Sequence, residues 1–390
     1  MKLKFLLITL IILMAVIAII GVLFYINISN TSQVVSLPLT IETKKPVVTD
    51  VHIVSVGDIF LHGNNLFAAY SADAKTYNFD SVFSPVADYF KNADLTTAWL
   101  GAVYDPKGPY LGYPLFKSPP ALIDTLQNIG LNVAFRTNHT MDFGVKGLAM
   151  TTQILTEHNI SQVAAAGTEE SSKKIFVYQK NNLKIAFVGY IYGMNGLSIP
   201  EPWMINLIDL DKIKSDITEA KKQADFVVVA LHFGNEYERL PSQSQKDTVQ
   251  AIANSGADLI IASHAHVIQP IETVTTTDGR TIYVAYGLGN FYCGQRARYT
   301  DAGMILDYTI EKTDTGTVLK NISYTPTWVA EFKENGKTQY QILPAKKYID
   351  LYQQGQASFL SASNFARLKQ VYTDTVQHIN KASIDFVETK

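Results

Sequence analysis

Asp258-Leu259-Ile260-Ile261-Ala262-Ser263-His264-Ala265-His266 is the stretch that decides how this chain is read. An apolar run of strand length ends, and two imidazoles follow at a spacing of two. Side chains alternate across an extended chain, so residues two apart face the same side. The spacing therefore predicts two rings aimed at one point beyond a strand end. Imidazole suits zinc, iron, manganese and related ions. An isolated pair of this kind would read more simply as two surface histidines at a loop mouth, so the rest of the chain has to decide.

The same grammar, an apolar strand followed by residues able to bind a metal, recurs on both sides of this stretch. Val51–Val56 is rich in β-branched residues and leads to Asp58, with His62 four residues on. Leu131–Phe135 leads to Asn138-His139, with Asp142 and Gly144 just beyond. Phe226–Leu231 leads to His232 and Glu236, and Thr281–Tyr286 leads to Asn290. Helical spacing separates these strands, over Phe79–Asn92, Pro119–Ile129, Gly144–His158, Asp209–Ala224 and Ser242–Asn254. Met304–Ile310 and the region around Tyr324 add consecutive β-strands, and the pattern from Tyr340 on is mostly helical and polar. Such alternation predicts an α/β layered fold with an antiparallel stretch late in the chain. Ligands gather at the carboxyl ends of strands in layered α/β proteins. Each residue has a plainer role, Asp58 as a turn cap or His232 as a core histidine. Their repetition on several strand ends favours convergence.

Composition narrows the functional classes. The 390 residues carry a formal net charge of -2, which gives no electrostatic case for nucleic-acid binding. A hydrophobic fraction of 47% supports a large core. Cys293 is the single cysteine, so neither an intramolecular disulfide nor a thiolate zinc site is available. Lys2 and Lys4 precede an apolar run, Phe5 to Ile26, interrupted only by Thr9. About 20 apolar residues suffice to cross a bilayer as a helix. The run reads as an uncleaved signal anchor over 1–28, with the N-terminus cytoplasmic and the remainder outside. A cleaved signal peptide and a buried core helix are the alternatives. A linker over 29–48, a domain over 49–330 and a C-terminal helical extension over 331–390 follow in this reading.

The ordered motifs Val56-Gly57-Asp58-Ile59, Asn138-His139-Thr140-Met141-Asp142, His232-Phe233-Gly234-Asn235-Glu236, the His264-Ala265-His266 stretch and Gly289-Asn290-Phe291 resemble the CapA-type capsule synthesis proteins, linked to poly-γ-glutamate polymers at bacterial surfaces. The resemblance covers about residues 51–310. That family in turn is similar to the calcineurin-type metallophosphoesterases. It implies an α/β metallophosphoesterase-like fold, a four-layer αββα sandwich after one N-terminal transmembrane helix. It further implies one or two divalent ions (Mn, Zn, Fe or Mg). Asp58 and His266 would serve one ion, and Asn138, His232 and His264 the other. His139, Asp142 and Glu236 become the candidate catalytic residues, with His139 steadying transition-state charge or protonating a leaving group.

The chain departs from that pattern where the family usually shows Ala-Asn-Leu-Glu. Here Ala98-Trp99-Leu100-Gly101 stands instead, and an indole has no acceptor with which to bind a cation. Asp105 is a nearby substitute if the loop is remodelled. Ala262-Ser263 and Ala265 also replace the usual Gly-His and Pro. The departures imply a mononuclear, altered or inactive site. The resemblance thus implies a membrane-anchored, extracytoplasmic protein of capsule or exopolymer biosynthesis, acting as a metal-dependent hydrolase. The alternative is a non-catalytic assembly or export subunit. Expected partners are an anionic surface polymer or its precursor, the membrane, and other capsule-synthesis membrane proteins, with no nucleic acid.

Overall fold

The computed structural model describes residues 2–29, 48–380 and 387–388. It divides into two units, Met1–Pro46 and Val47–Lys390. In the first, Lys2–Ser29 is an α-helix. Its segment Leu3–Ile26 has 24 residues with a mean hydropathy of 3.3, none of them buried. At 1.5 Å per residue it is about 36 Å long, more than the ~30 Å hydrocarbon core of a bilayer. Its surface is apolar all round rather than along one stripe, which suits lipid on every side. The helix is compatible with a single-pass anchor, and a signal sequence has the same character. Most of the expected linker, residues 30–47, lies outside the described residues.

The second unit is built on two sheets. The first contains β1 (Thr49–Ile59), β2 (Leu95–Leu100), β3 (Val133–Arg136) and β4 (Ser161–Val163), all parallel. The second contains β5 (Phe176–Lys180), β6 (Leu183–Ile191), β7 (Phe226–His232), β8 (Leu259–Ser263), β9 (Ile268–Thr275) and β10 (Thr281–Leu288), in the order β9-β10-β8-β7-β6-β5. The chain then returns to the first sheet as β11 (Asn290–Tyr292), β12 (Ala302–Thr313), β13 (Gly316–Glu334) and β14 (Lys337–Pro344). The order there is β14-β13-β12-β1-β2-β3-β4, with β11 paired to β1.

Strand periodicity separates the layers. Val51 and Ile53 of β1 face a core between the sheets, shared with Val228 and Ile261 of the second sheet. Val54 and Val56 face the other way, against Phe83, Phe90, Leu122 and Leu126 of the helices over 80–91 and Ala121–Ile129. The outer face of the second sheet is covered by Leu210–Gln223 and Gln243–Asn254, through Ile213, Ile217, Val249 and Ile252. This is the expected αββα sandwich. Parallel strands buried on both faces read as continuous apolar runs, which is why β7 and β8 were legible.

The chain end differs from expectation. The boundary set at 330/331 falls inside β13, and β14 adds another strand to the first sheet. Helices Ala345–Gln353 and Ala362–Asn380 follow, and their Ile349, Leu368 and Val371 join the inter-sheet core. Residues 331–380 are therefore part of the domain. The polar solvent face of an edge hairpin hid its alternation.

Candidate functional site

The carboxyl ends of β1, β3, β7 and β8 open on one side, and a β-bulge decides what β1 presents there. Strict alternation after Ile53 would aim position 57 at the inter-sheet core and Asp58 at the helices. A register shift between Val56 and Asp58 reverses this and pairs Asp58 with Trp99. An inserted residue re-aims the side chains that follow it. Gly57 is required at the bulge, because a Cβ there would lie 1.9 Å from the Gly289 carbonyl oxygen. Asp58, fully buried, then accepts from Ser263 Oγ of the second sheet at 2.8 Å. Burial pushes its carboxyl up to about 6, opposed by the His266 ring and the Ser263 hydroxyl.

His264 and His266 meet Asp58 by a different route from the one the sequence suggested. Strand β8 ends at Ser263, and both histidines lie in a loop at positive φ, +128° and +59°. Extended alternation does not apply to them. The turn still leaves their rings 6.2 Å apart, with His264 4.9 Å from the ring of His232. A non-glycine residue at φ +128° is a strained conformation of the kind that persists at functional sites. Burial holds the His264 imidazole down to about 3 and that of His232 well below its ordinary value, with neighbouring histidines adding to both.

Hydrogen bonds assign the tautomers. Asn138 Nδ2 donates to Tyr192 Oη at 3.2 Å and to Asn195 Oδ1 at 3.0 Å. Its Oδ1 therefore faces His232 Nε2 at 3.0 Å, and that nitrogen carries the proton. His232 Nδ1 is left as a bare lone pair, buried and unpartnered, 3.8 Å from the equally unpartnered Asp58 Oδ1. Asn290 is fixed in the same way. Its Nδ2, with two hydrogens, faces three acceptors, the carbonyls of His266 and Thr300 and Gln295 Oε1, so its Oδ1 accepts from His266 Nδ1 at 3.0 Å. His266 Nδ1 is also 4.0 Å from Asp58 Oδ2, while Nε2 points toward Glu236, 3.9 Å away. His264 Nδ1 is a third buried atom without a partner.

His139 belongs to a pair beside this group. Its Nδ1 donates to Asp142 Oδ2 at 2.8 Å, and the same oxygen accepts the Phe116 amide at 2.7 Å. Asn195 Nδ2 approaches His139 Nε2 at 3.5 Å. Phe60 ties the two parts together, its ring 5.7 Å from that of His139 and 5.3 Å from that of His266.

The bacterial capsule synthesis protein model, PGA_cap, matches residues 52–295. The chain belongs to that family. Among relatives, it is 34% identical over 182 residues to the PGA biosynthesis protein CapA of Bacillus subtilis (strain 168), which is 46% of this chain and 47% of that protein. The chain thus spans about half the length of that relative. Among solved structures, the NAD nucleotidase NadN of Haemophilus influenzae is similar over 85% of this chain and 68% of its own, with a TM-score of 0.50 and 13% identity. A calcineurin-like phosphoesterase, YfkN of Bacillus subtilis, is similar over 86% of this chain and 100% of its own, with a TM-score of 0.41 and 13% identity. At these identities the likeness concerns the fold alone.

Within this PGA_cap domain, Trp99 fills the place beside Asp58 where the resemblance implied a shared donor. Its indole packs on Phe135, ring centroids 4.8 Å apart, in the core between the sheets. Asp105 does not substitute for it; its carboxylate pairs with Lys117 at 3.1 Å and caps the Lys107 amide. His62 is committed through Nδ1, which accepts the Gly294 amide at 3.2 Å, and burial holds its imidazole down to about 4. Among the described residues, no group of three or more His, Cys, Asp and Glu side chains is gathered closely enough to hold a metal ion. Tyr192 and Asn195, which orient Asn138, were not singled out in the sequence. They follow the end of β6, so the strand-end grammar extended to that strand would have found them.

Proposed function

We propose that this protein is a membrane-anchored, extracytoplasmic component of capsule or exopolymer biosynthesis that hydrolyses a phosphoryl or acyl bond at a single divalent cation. One observation carries the reading. His232 Nδ1 and Asp58 Oδ1 are both acceptors, both buried, and face each other at 3.8 Å with no donor between them. Two lone pairs in a dry site repel unless a cation lies between them. Two donors each about 2.0–2.2 Å from one ion stand at most ~4.4 Å apart, and this pair satisfies that limit. Asp58, His232 and His264 would hold the ion, while Asn138 Oδ1 takes the proton on His232 Nε2, on the far side of the ring. When bound, it would polarise the substrate oxygen and lower the pKa of an attacking water.

The chain's own residues have separate tasks. Asn138, locked by Tyr192 and Asn195, keeps the His232 lone pair aimed at Asp58. Asp142 holds His139 with Nδ1 protonated, which leaves Nε2 to exchange a proton with a leaving group. Trp99 favours one ion over two, because an indole cannot screen the repulsion of a second. The lysines before the apolar helix favour a cytoplasmic N-terminus and an outer domain. The substrate on this reading is a surface polymer or precursor whose phosphate or carboxylate reaches the ion, with other capsule-synthesis membrane proteins as neighbours.

The test is metal analysis of the full chain in detergent after chelation and reloading with manganese or zinc, with bis-p-nitrophenyl phosphate as the assay. About one ion per chain, with turnover that His232→Ala abolishes, is expected. No bound metal and no turnover under any loading would refute it. Trp99 also motivates a second reading, a non-catalytic assembly subunit. A His264→Ala, His266→Ala double variant that still restores polymer to a deletion strain would favour that one.

A further inference from the structure

The exposed rim of the histidine group is aromatic and acidic, a character the hydrolytic reading does not use. Tyr192 is 46% exposed, and its ring lies against His264 with centroids 4.5 Å apart. Tyr237 is 54% exposed and lies over His266, 6.0 Å away and 29° from parallel. Glu236 Oε1 lies 3.9 Å from His266 Nε2, and the His264 and His266 rings are 6.2 Å apart, so two tyrosines and Glu236 stand over the same pair of histidines.

Three classes of ligand can be weighed against that rim. An anionic group would meet Glu236, and the flanking cations are occupied. Lys117 pairs with Asp105, Arg296 donates to the Val329 and Cys293 carbonyls at 2.7 and 2.8 Å, and Arg239 lies over the Tyr299 ring at 4.0 Å. A neutral sugar needs hydroxyl partners, yet the Tyr192 hydroxyl is spent on Asn138 and Asn195, and that of Tyr237 takes Gln295 Nε2 at 3.3 Å. The rim offers ring faces and one carboxylate whose ion pair is with a histidine, not with lysine or arginine. Ring faces with a carboxylate suit an organic cation.

From this we infer that the Tyr192–Tyr237–Glu236 rim is a subsite for an ammonium group, so that the substrate is zwitterionic, its anionic group at the Asp58–His232 centre and its ammonium at the rim. The inference rests on the reading of that centre as the reaction site, but its test needs neither metal nor turnover. Choline chloride is titrated into the chelator-treated full chain in a polyoxyethylene detergent micelle, and heat is measured. The uncharged isostere 3,3-dimethyl-1-butanol, methyl glucoside and a γ-glutamyl oligomer are titrated in parallel. Choline is expected to bind saturably and at least about ten-fold tighter than its isostere. Glu236→Gln should weaken it about ten-fold, and Tyr237→Ala, at an exposed position, about three-fold or more. Equal binding of choline and the isostere, preference for the glucoside or the oligomer, or indifference to both substitutions would overturn the subsite. A chain that binds choline but neither metal nor phosphodiester would keep the subsite and sink the hydrolytic reading instead.

Discussion

Phe60 occupies the volume that any side chain at position 101 would need. A Cβ built on Gly101 would lie 1.9 Å from Phe60 Cε1. Phe60 is itself buried between Phe116, His139 and His266, so it has little room to retreat. Gly101→Ala is expected to destabilise the chain by about 1–3 kcal/mol, as overpacking does. The double variant Gly101→Ala, Phe60→Leu should recover part of that loss, giving a coupling energy in a thermal-denaturation cycle. Additive effects would show that the ring yields without cost.

His264 is strained and functional at once. At φ +128° a glycine is at ease and an alanine is not. His264→Gly and His264→Ala both remove the imidazole. Their melting temperatures should differ in favour of glycine, by an amount equivalent to about 1–3 kcal/mol. Metal binding should be lost equally in both. An alanine variant as stable as the glycine one would mean that the loop relaxes.

Asp58 sets a pH dependence in the metal-free chain. Its folded carboxyl is raised from 3.8 to about 6 by burial. Below pH 4 it is protonated whether folded or unfolded. As pH rises, the unfolded chain ionises first, so stability falls between about pH 4 and 6. It stays lower above that range, by up to about 3 kcal/mol. Asp58→Asn should therefore melt higher than the chelated parent at pH 7.5 and about level with it at pH 4. Equal melting at both values would show that the carboxylate is solvated or already neutralised.

Arg136 is a buried cation with little to bind. It is fully buried at the end of β3, and Nη2 donates to the Ala102 carbonyl at 3.0 Å. Nε and Nη1 have no partner, and neither do Tyr104 Oη and Asp142 Oδ1. Burial pulls its guanidinium down to about 10, partly offset by Tyr104 and Asp142. Arg136 has no carboxylate at ion-pair distance among the described residues, so an apolar residue of similar length would remove its desolvation cost without stripping a partner. Arg136→Met should leave the melting temperature unchanged or raise it. A large loss would point to ordered water pairing the guanidinium with Asp142.

Local pattern made most elements legible. Apolar runs gave β7 and β8, and helical spacing gave Gln243–Asn254, which Ser242 caps by accepting the Gln245 amide. The region around Tyr324 is legible as strand, but the end of β13 and all of β14 escape because their alternation is broken by solvent-facing polar residues. The bulge at Gly57 escaped because it depends on Gly289, more than 200 positions away.

The sequence by itself determined which residues stand at strand ends, because hydrophobic periodicity is a local property and marks where each strand stops. It determined the apolar helix for the same reason. Only the tertiary structure decided that Asp58 turns inward, that two histidines meet at positive φ, and that Trp99 closes one side of the group. Each of these is settled by contact between segments far apart in the chain, where one carbonyl or one ring claims a space and the neighbour must give way.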